Sequence, residues 1–493
     1  MISYLIILGT TAYMVPHFHK FMTLPVAAII YTKVFVDTPA SPSDISTEGE
    51  AERILHELEQ ARRFYWINSG MRLNIELHSI VVDSFKLSSE IYSPEEYRPP
   101  KPELVKKILT EHELQNVVGV VHIAVELRFN TNKGKYVYTG AGGGLTCGIG
   151  DSGYGISWWQ SPPPGAYVDN SWLFVHEFNH QVDALFHASG YPEYWFNHPS
   201  PTENNVARFG EHFDCNAYIL RKWPDSLWFN MKFGIVDSSL DMDADGFPDN
   251  DDRVPLDEAR FGSSSKAIDT DHDGLTDKEE AMLLHWCDSG VDERFCSGHY
   301  MPDPHSMDSD GDGIPDSADI YPIYPISTRI TRNDWWNCHF DDSLLSGDVW
   351  ISRTDSSLIF KFELDKEAKI KLQIDADDNG WFIGRDNYKI VINPDGSLRA
   401  KLIVNASIPG EWPFDDKKLL ADDNIRSFKV EHEGKYIYYL EVPRNYYTGM
   451  ELLDCEIMGF LFGFRPLGYS RYITVFEPHH LIRLMLSGDC PNL

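Results

Sequence analysis

A chain of 493 residues with 42% apolar and 13% aromatic side chains has enough hydrophobic material for about three packed domains, which excludes global disorder. Its formal charge of −32 excludes nucleic acid as a main partner, because a phosphate backbone repels such a surface. The charge is concentrated: residues 241–320 hold 23 Asp and Glu against 5 Lys and Arg, so this block is either a solvated tether or a set of cation sites.

The chain opens with "MISYLIILGTTAYMV", which is apolar enough for the hydrophobic part of a signal but has no basic residues before it and no clear cleavage site. It is shorter than the ~20 residues that span a bilayer. Residues 1–25 are therefore a candidate export segment, and no other stretch reads as transmembrane. "VAAIIYTKVFVD" (26–37) predicts a buried strand. The helix that follows starts at a Ser46 or Thr47 cap and stops at Gly70. "LNIELHSIVVD" predicts a second strand, 102–113 a second helix, and "VVGVVHIAVEL" a continuous apolar strand. Strands alternating with helices imply a sheet layered against helices. The glycine-rich residues 141–158 predict irregular or edge-strand backbone near a cleft.

"NSWLFVHEFNHQVDALFHASG" (170–190) contains His176, Glu177 and His180 in the order H-E-x-x-H. Residues i and i+4 of a helix point the same way, so two imidazoles can hold one Zn²⁺ while the intervening Glu reaches the metal-bound water. The motif follows strand-like and glycine-rich sequence, and in this it resembles the zincin metallopeptidases. The resemblance implies a zincin-like α+β catalytic domain over 26–236, with Glu177 as general base. His187 lies seven residues past His180, roughly 10 Å along the axis, too far for the same metal. Where metzincins have a helix-breaking glycine and a third histidine, this chain has Asp183 and Phe186. Asp183 reads equally as a carboxylate supporting the ligands or as a solvated helix residue. The gluzincin arrangement, with a third ligand on a crossing helix, points to the predicted helix 204–223, where Glu211 is the favoured ligand and His212 and Asp214 are the alternatives. Tyr191, Tyr194 and Tyr218 are candidates for stabilising an oxyanion, although packing is the commoner role for such aromatics.

Within the acidic block, "DMDADGFPDNDD" (241–252), "DTDHDGLTDKEE" (269–280) and "DSDGDGIPDSAD" (308–319) superimpose residue for residue. Each has Asp at positions 1, 3, 5 and 9, Gly at 6, an apolar residue at 7, and Asp or Glu at 12. This is the EF-hand type of Ca²⁺ ligand schedule. The predicted ligands are Asp241, Asp243, Asp245, Asp249 and Asp252; Asp269, Asp271, Asp273, Asp277 and Glu280; and Asp308, Asp310, Asp312, Asp316 and Asp319. The pattern resembles thrombospondin type 3 repeats, which implies a calcium-rigidified spacer over 237–325. Within it, a helix is expected near 278–287, and Cys287 and Cys296 could close a short loop. An odd total of seven cysteines leaves at least one unpaired within the chain.

From residue 330 to 493, short alternating strands with turn signals predict a β-sandwich. "IDADDNGWFIGRDNYKIVINPDG" (374–396) resembles the sandwich group that includes DOMON domains and some carbohydrate-binding modules, which implies an accessory domain with a glycan as its partner. Trp335, Trp336 and Trp381 could stack on sugars. Together these features predict an extracellular or cell-surface zinc- and calcium-dependent metallopeptidase acting on a protein or peptide. The alternative is a non-catalytic adhesion or carbohydrate-binding protein with an inactive zincin-like domain. Hydrolysis of a non-peptide amide is a third possibility.

Overall fold

The computed structural model describes residues 16–36, 50–82, 85–86, 102–130, 135–138, 144–147, 155–160, 171–194, 220–221, 223–232, 234–283, 302–319, 322, 328–376, 387–404, 419–454, 456–469, 472–474 and 482–486. In chain order the first part comprises β1 (His17–Val36), α1 (Glu50–Asn68), β2 (Leu73–Val82), β3 (Phe85–Lys86), α2 (Pro102–Glu111), β4 (Gly119–Asn130), β5 (Lys135–Tyr138), β6 (Gly144–Cys147), β7 (Gly155–Gln160), α3 (Ser171–Ala188), α4 (Asp225–Trp228) and β8 (Ile235–Asp241). The acidic segment adds two short helices, α5 (Glu258–Phe261) and α6 (Asp277–Met282), and a 3₁₀ turn, Asp316–Ala318. The last part comprises β9 (Thr328–Ile330), β10 (Trp335–Asp341), β11 (Ser346–Arg353), β12 (Ser357–Leu364), β13 (Ala368–Asp375), β14 (Asn387–Ile392), β15 (Leu398–Val404), β16 (Leu419–Ala421), β17 (Arg426–His432), β18 (Lys435–Pro443), β19 (Ile457–Pro466), β20 (Ile473–Thr474) and β21 (Ile482–Leu486).

The first sheet runs β2-β1-β4-β7-β6, parallel through β7, with β6 antiparallel at the edge. The interior strand β1 is apolar on both faces because helices cover both. Leu24, Val26, Ala28 and Ile30 of β1 pack on the side of α1 and α3, whereas Ala27, Ile29 and Tyr31 pack with Val105 and Leu109 of α2. α1 ends where expected, at Gly70, whose φ of +66° suits a residue without a Cβ.

β1 begins nine residues earlier than the predicted strand. Phe21, Met22 and Leu24, inside the candidate export segment, are fully buried, so residues 17–25 belong to the sheet. This early portion pairs antiparallel with β8, from His17 opposite Asp241 to Thr23 opposite Ile235. Met22 and Thr23 also pair with β2, which places β8 on the flank of β1 that β4 occupies further along. The expected boundary at 236/237 therefore falls inside a strand. A small core of Phe21, Trp66, Ile67 and Met71 with Phe247, Val254, Leu256, Phe261 and Ala281 joins the acidic segment to this sheet. The Trp66 indole N–H donates to Leu256 O at 2.8 Å.

The C-terminal part is a two-sheet β-sandwich. One sheet runs β10-β11-β12-β18-β17, and the other runs β16-β15-β14-β13-β19-β21-β9 with β20 beside β19. Phe360 and Phe362 of the first sheet meet Phe460, Phe462 and Phe464 of the second edge to face. Alternation along each strand supplies this core, as in β12, where Leu358, Phe360, Phe362 and Leu364 are buried.

Candidate metal centres

α3 lies under the first sheet. Phe174, Val175, Phe178, Val182, Leu185 and Phe186 form its inward face. At 100° per residue, positions 176, 180, 183 and 187 fall on the opposite face. The Gln181 amide reaches Val120 O of β4 at 3.4 Å. A Cβ at Gly119 or Gly155 would stand 2.4 or 2.8 Å from the Gln181 side chain, so the two glycines let the helix approach. From α1, the Tyr65 hydroxyl lies 2.9 Å from Val175 O and 2.6 Å from Asn179 Oδ1. Burial, and then the charge of Asp183, pushes the Tyr65 hydroxyl well above its ordinary pKa. Asp183 thus faces α1, half-buried.

Of the predicted zinc residues, Glu177 is buried and His180 half-buried, one turn after position 176. His187 is exposed near the end of the helix. Two imidazoles at i and i+4 match the nitrogen donors zinc prefers. Glu211, His212, Asp214 and Tyr218 lie outside the described residues. Tyr194 packs with Phe186 and Trp223, and Tyr191 packs on Tyr194 and against the core, which gives both a structural role.

The three acidic loops fold alike. In each, the Asp at position 1 accepts backbone N–H groups from positions 4 and 6: Asp241 from Ala244 and Gly246, Asp269 from His272 and Gly274, Asp308 from Gly311 and Gly313. The Asp at position 3 accepts from position 5, and the Asp at position 5 from position 7. Positions 4 and 6 both have left-handed backbone, Ala244 and His272 included.

Asp241, Asp243 and Asp245 each offer an oxygen within 4.8 Å of the others, and so do Asp269, Asp271 and Asp273, and Asp308, Asp310 and Asp312. One oxygen of each position 3 residue, Asp243, Asp271 and Asp310, is buried with no donor among the described residues. Burial, followed by neighbouring aspartates, pushes Asp245 and Asp310 up to about 7. A donor set made only of oxygens suits Ca²⁺, and zinc's nitrogen and sulfur ligands are missing from it.

The remaining scheduled positions depart from the template. The position 9 residues bond back into their own loops: Asp249 to Met242 N, Asp277 to the N–H and hydroxyl of Thr270, and Asp316 to those of Ser309. At position 12, Asp252 is exposed, Glu280 is 1% exposed, and Asp319 holds the buried Arg483 of β21 at 2.7 and 3.2 Å. The loops also dock in series. Asp245 accepts from Lys278 N at 3.2 Å and Asp273 from Ser317 N at 2.9 Å, so position 5 of one loop holds position 10 of the next. Cys287 and Cys296 lie outside the described residues, and Cys338 is unpaired.

On the sandwich, a cavity of about 570 Å³ is lined by Asp422, Asn424, Arg444, Asn445, Tyr446 and Tyr447, among others. Both tyrosines are exposed, and the Arg444 guanidinium lies 5.4 Å from the Tyr446 ring. Trp335 is exposed on β10, Trp336 packs against the core, and Trp381 lies outside the described residues.

No family model and no curated protein matches the chain. Among solved structures, a family 9 carbohydrate-binding module from Caldicellulosiruptor kristjanssonii in complex with cellotriose is 11% identical, with a TM-score of 0.24, over 33% of this chain and 95% of the module. The same module with glucose is 11% identical, with a TM-score of 0.24, over 34% of this chain and 99% of its own length. At these scores the likeness says nothing about what this chain binds.

Proposed function

We propose that the chain is a secreted or cell-surface zinc-dependent peptidase whose zincin-like catalytic domain is braced by calcium. The observation that carries this reading is the H-E-x-x-H on α3, with Glu177 buried and positions 176 and 180 together on the face turned away from the sheet. His176 and His180 would hold the zinc, with Glu211, His212 or Asp214 as the third ligand. Zinc held there would supply Lewis-acid chemistry at water and carbonyl oxygen. Glu177 would serve as the general base that accepts the proton of the attacking water and returns it to the leaving amine. The antiparallel edge strand β6, which contacts α3, favours a peptide substrate, because an extended chain can add to such an edge through main-chain hydrogen bonds. Glu177→Gln is expected to keep its zinc by metal analysis and to lose peptide hydrolysis at least a hundredfold. Hydrolysis at the wild-type rate would sink the reading.

A second reading concerns the sandwich. The exposed Tyr446 and Tyr447 beside Asp422, Asn424 and Asn445 combine ring faces with polar groups, the pairing that glycans require. Tyr446→Ala with Tyr447→Ala should abolish retention of the chain on immobilised oligosaccharides while leaving its melting temperature unchanged. Equal retention of the double variant would refute this site.

A further inference from the structure

The twelve-residue schedule fails at the end of the first loop. Asp252 points to solvent, so an ion among Asp241, Asp243 and Asp245 lacks its closing carboxylate. α5 delivers another. Its first turn is pinned to the loop by Glu258 N to Pro248 O at 2.9 Å and by Ala259 N to Asp249 O at 3.1 Å. Asp257 caps the turn by accepting from Arg260 N. Glu258 is left 1% exposed, and neither carboxylate oxygen has a donor among the described residues. The charges that act on it most strongly are all acidic: Asp243, Asp245, Asp249 and Asp277.

Glu280, at position 12 of the second loop, is in the same state. It is 1% exposed, both oxygens lack donors, and Asp271, Asp273, Asp277 and Asp316 surround it. With no cation present, burial and then these neighbours push both glutamates up to about 9. An unpaired carboxylate buried among other carboxylates costs several kcal/mol, and a divalent ion removes that cost. The ammonium of Lys278, which a Cβ at Gly246 would meet at 2.9 Å, brings one positive charge to the first cluster.

We infer that Glu258, from outside the repeat, closes the first cation site, that Glu280 closes the second, and that Asp252 binds no metal. The inference rests on reading the loops as calcium sites and adds the ligand that the repeat itself does not contain. Its consequence is two matched sites, each closed by a fully buried glutamate. The third loop differs, because its position 12 residue, Asp319, is engaged with Arg483.

The test is calcium titration of the full chain, stripped of metal, by calorimetry. Glu258→Gln should weaken one tight site at least tenfold, Glu280→Gln should weaken the other, and Asp252→Asn should titrate like wild type. Thermal melting separates ligand loss from misfolding. In chelator Glu258→Gln should melt at or above wild type, having lost a carboxyl that folding forces to take up a proton, and in calcium it should melt below it. Wild-type titration by Glu258→Gln, or loss of a site in Asp252→Asn, overturns the assignment. A wild-type chain that binds no calcium overturns the reading of the loops themselves.

Discussion

His122 of β4 is fully buried and stacks on Tyr31 at 5.8 Å, and neither ring nitrogen has a partner among the described residues. Burial lowers its pKa to about 3. Between that value and the ordinary 6.5, the unfolded chain binds a proton that the folded chain refuses. Stability is therefore complete above pH 6.5 and falls as the pH drops toward 3, by up to about 1.4 kcal/mol per pH unit. His122→Leu should flatten the pH dependence of denaturant unfolding between pH 6.5 and 4.5, and a slope equal to wild type would show that the imidazole is not kept neutral. At this scale the sequence was legible wherever chemistry repeats at fixed spacing, as at Asp241, Asp269 and Asp308. It was silent on Glu258, because docking α5 against the loop is a tertiary event that the spacing does not encode. The fit of Gln181 against Gly119 and Gly155 was hidden for the same reason.

Among the elements, β8 ties the acidic loops to the N-terminal sheet. It ends at Asp241, the first residue of loop 1, and its ladder with β1 places that loop at the margin of the N-terminal sheet. The acidic segment is thus part of the sheet it was expected only to follow. Apolar patterning, alternating in β2 and the sandwich strands and continuous in β4, identified these elements because it is a local property. It missed the first nine residues of β1, which fall within residues 1–25, the candidate export segment. Chelation should therefore lower the melting temperature of the N-terminal sheet as well as exposing residues 241–319 to protease, while the sandwich transition moves less. Calorimetry with and without EDTA measures this. An N-terminal transition indifferent to EDTA would show that β8 holds without its loop.

Taken as a whole, the molecule is an α/β layer and a β-sandwich joined by an acidic segment of three like loops. Composition already implied that division: the acidic block marks the join, and the change from mixed to alternating patterning marks the sandwich. Its connections were not legible, since the Arg483–Asp319 pair spans 164 residues. The proposed third zinc ligand, Glu211, His212 or Asp214, lies outside the described residues. The serial docking of the loops, each held to the next through a position 5 aspartate, has a mechanical consequence. Tension applied to the sandwich must pass through all three loops before it reaches β8 and β1. A loop that opens releases roughly 40 Å of chain, from ~3.3–3.6 Å for each of its dozen residues. Calcium occupancy would then set extensibility in three steps, and a chain pulled in EDTA would lengthen at forces that leave the calcium-loaded chain short.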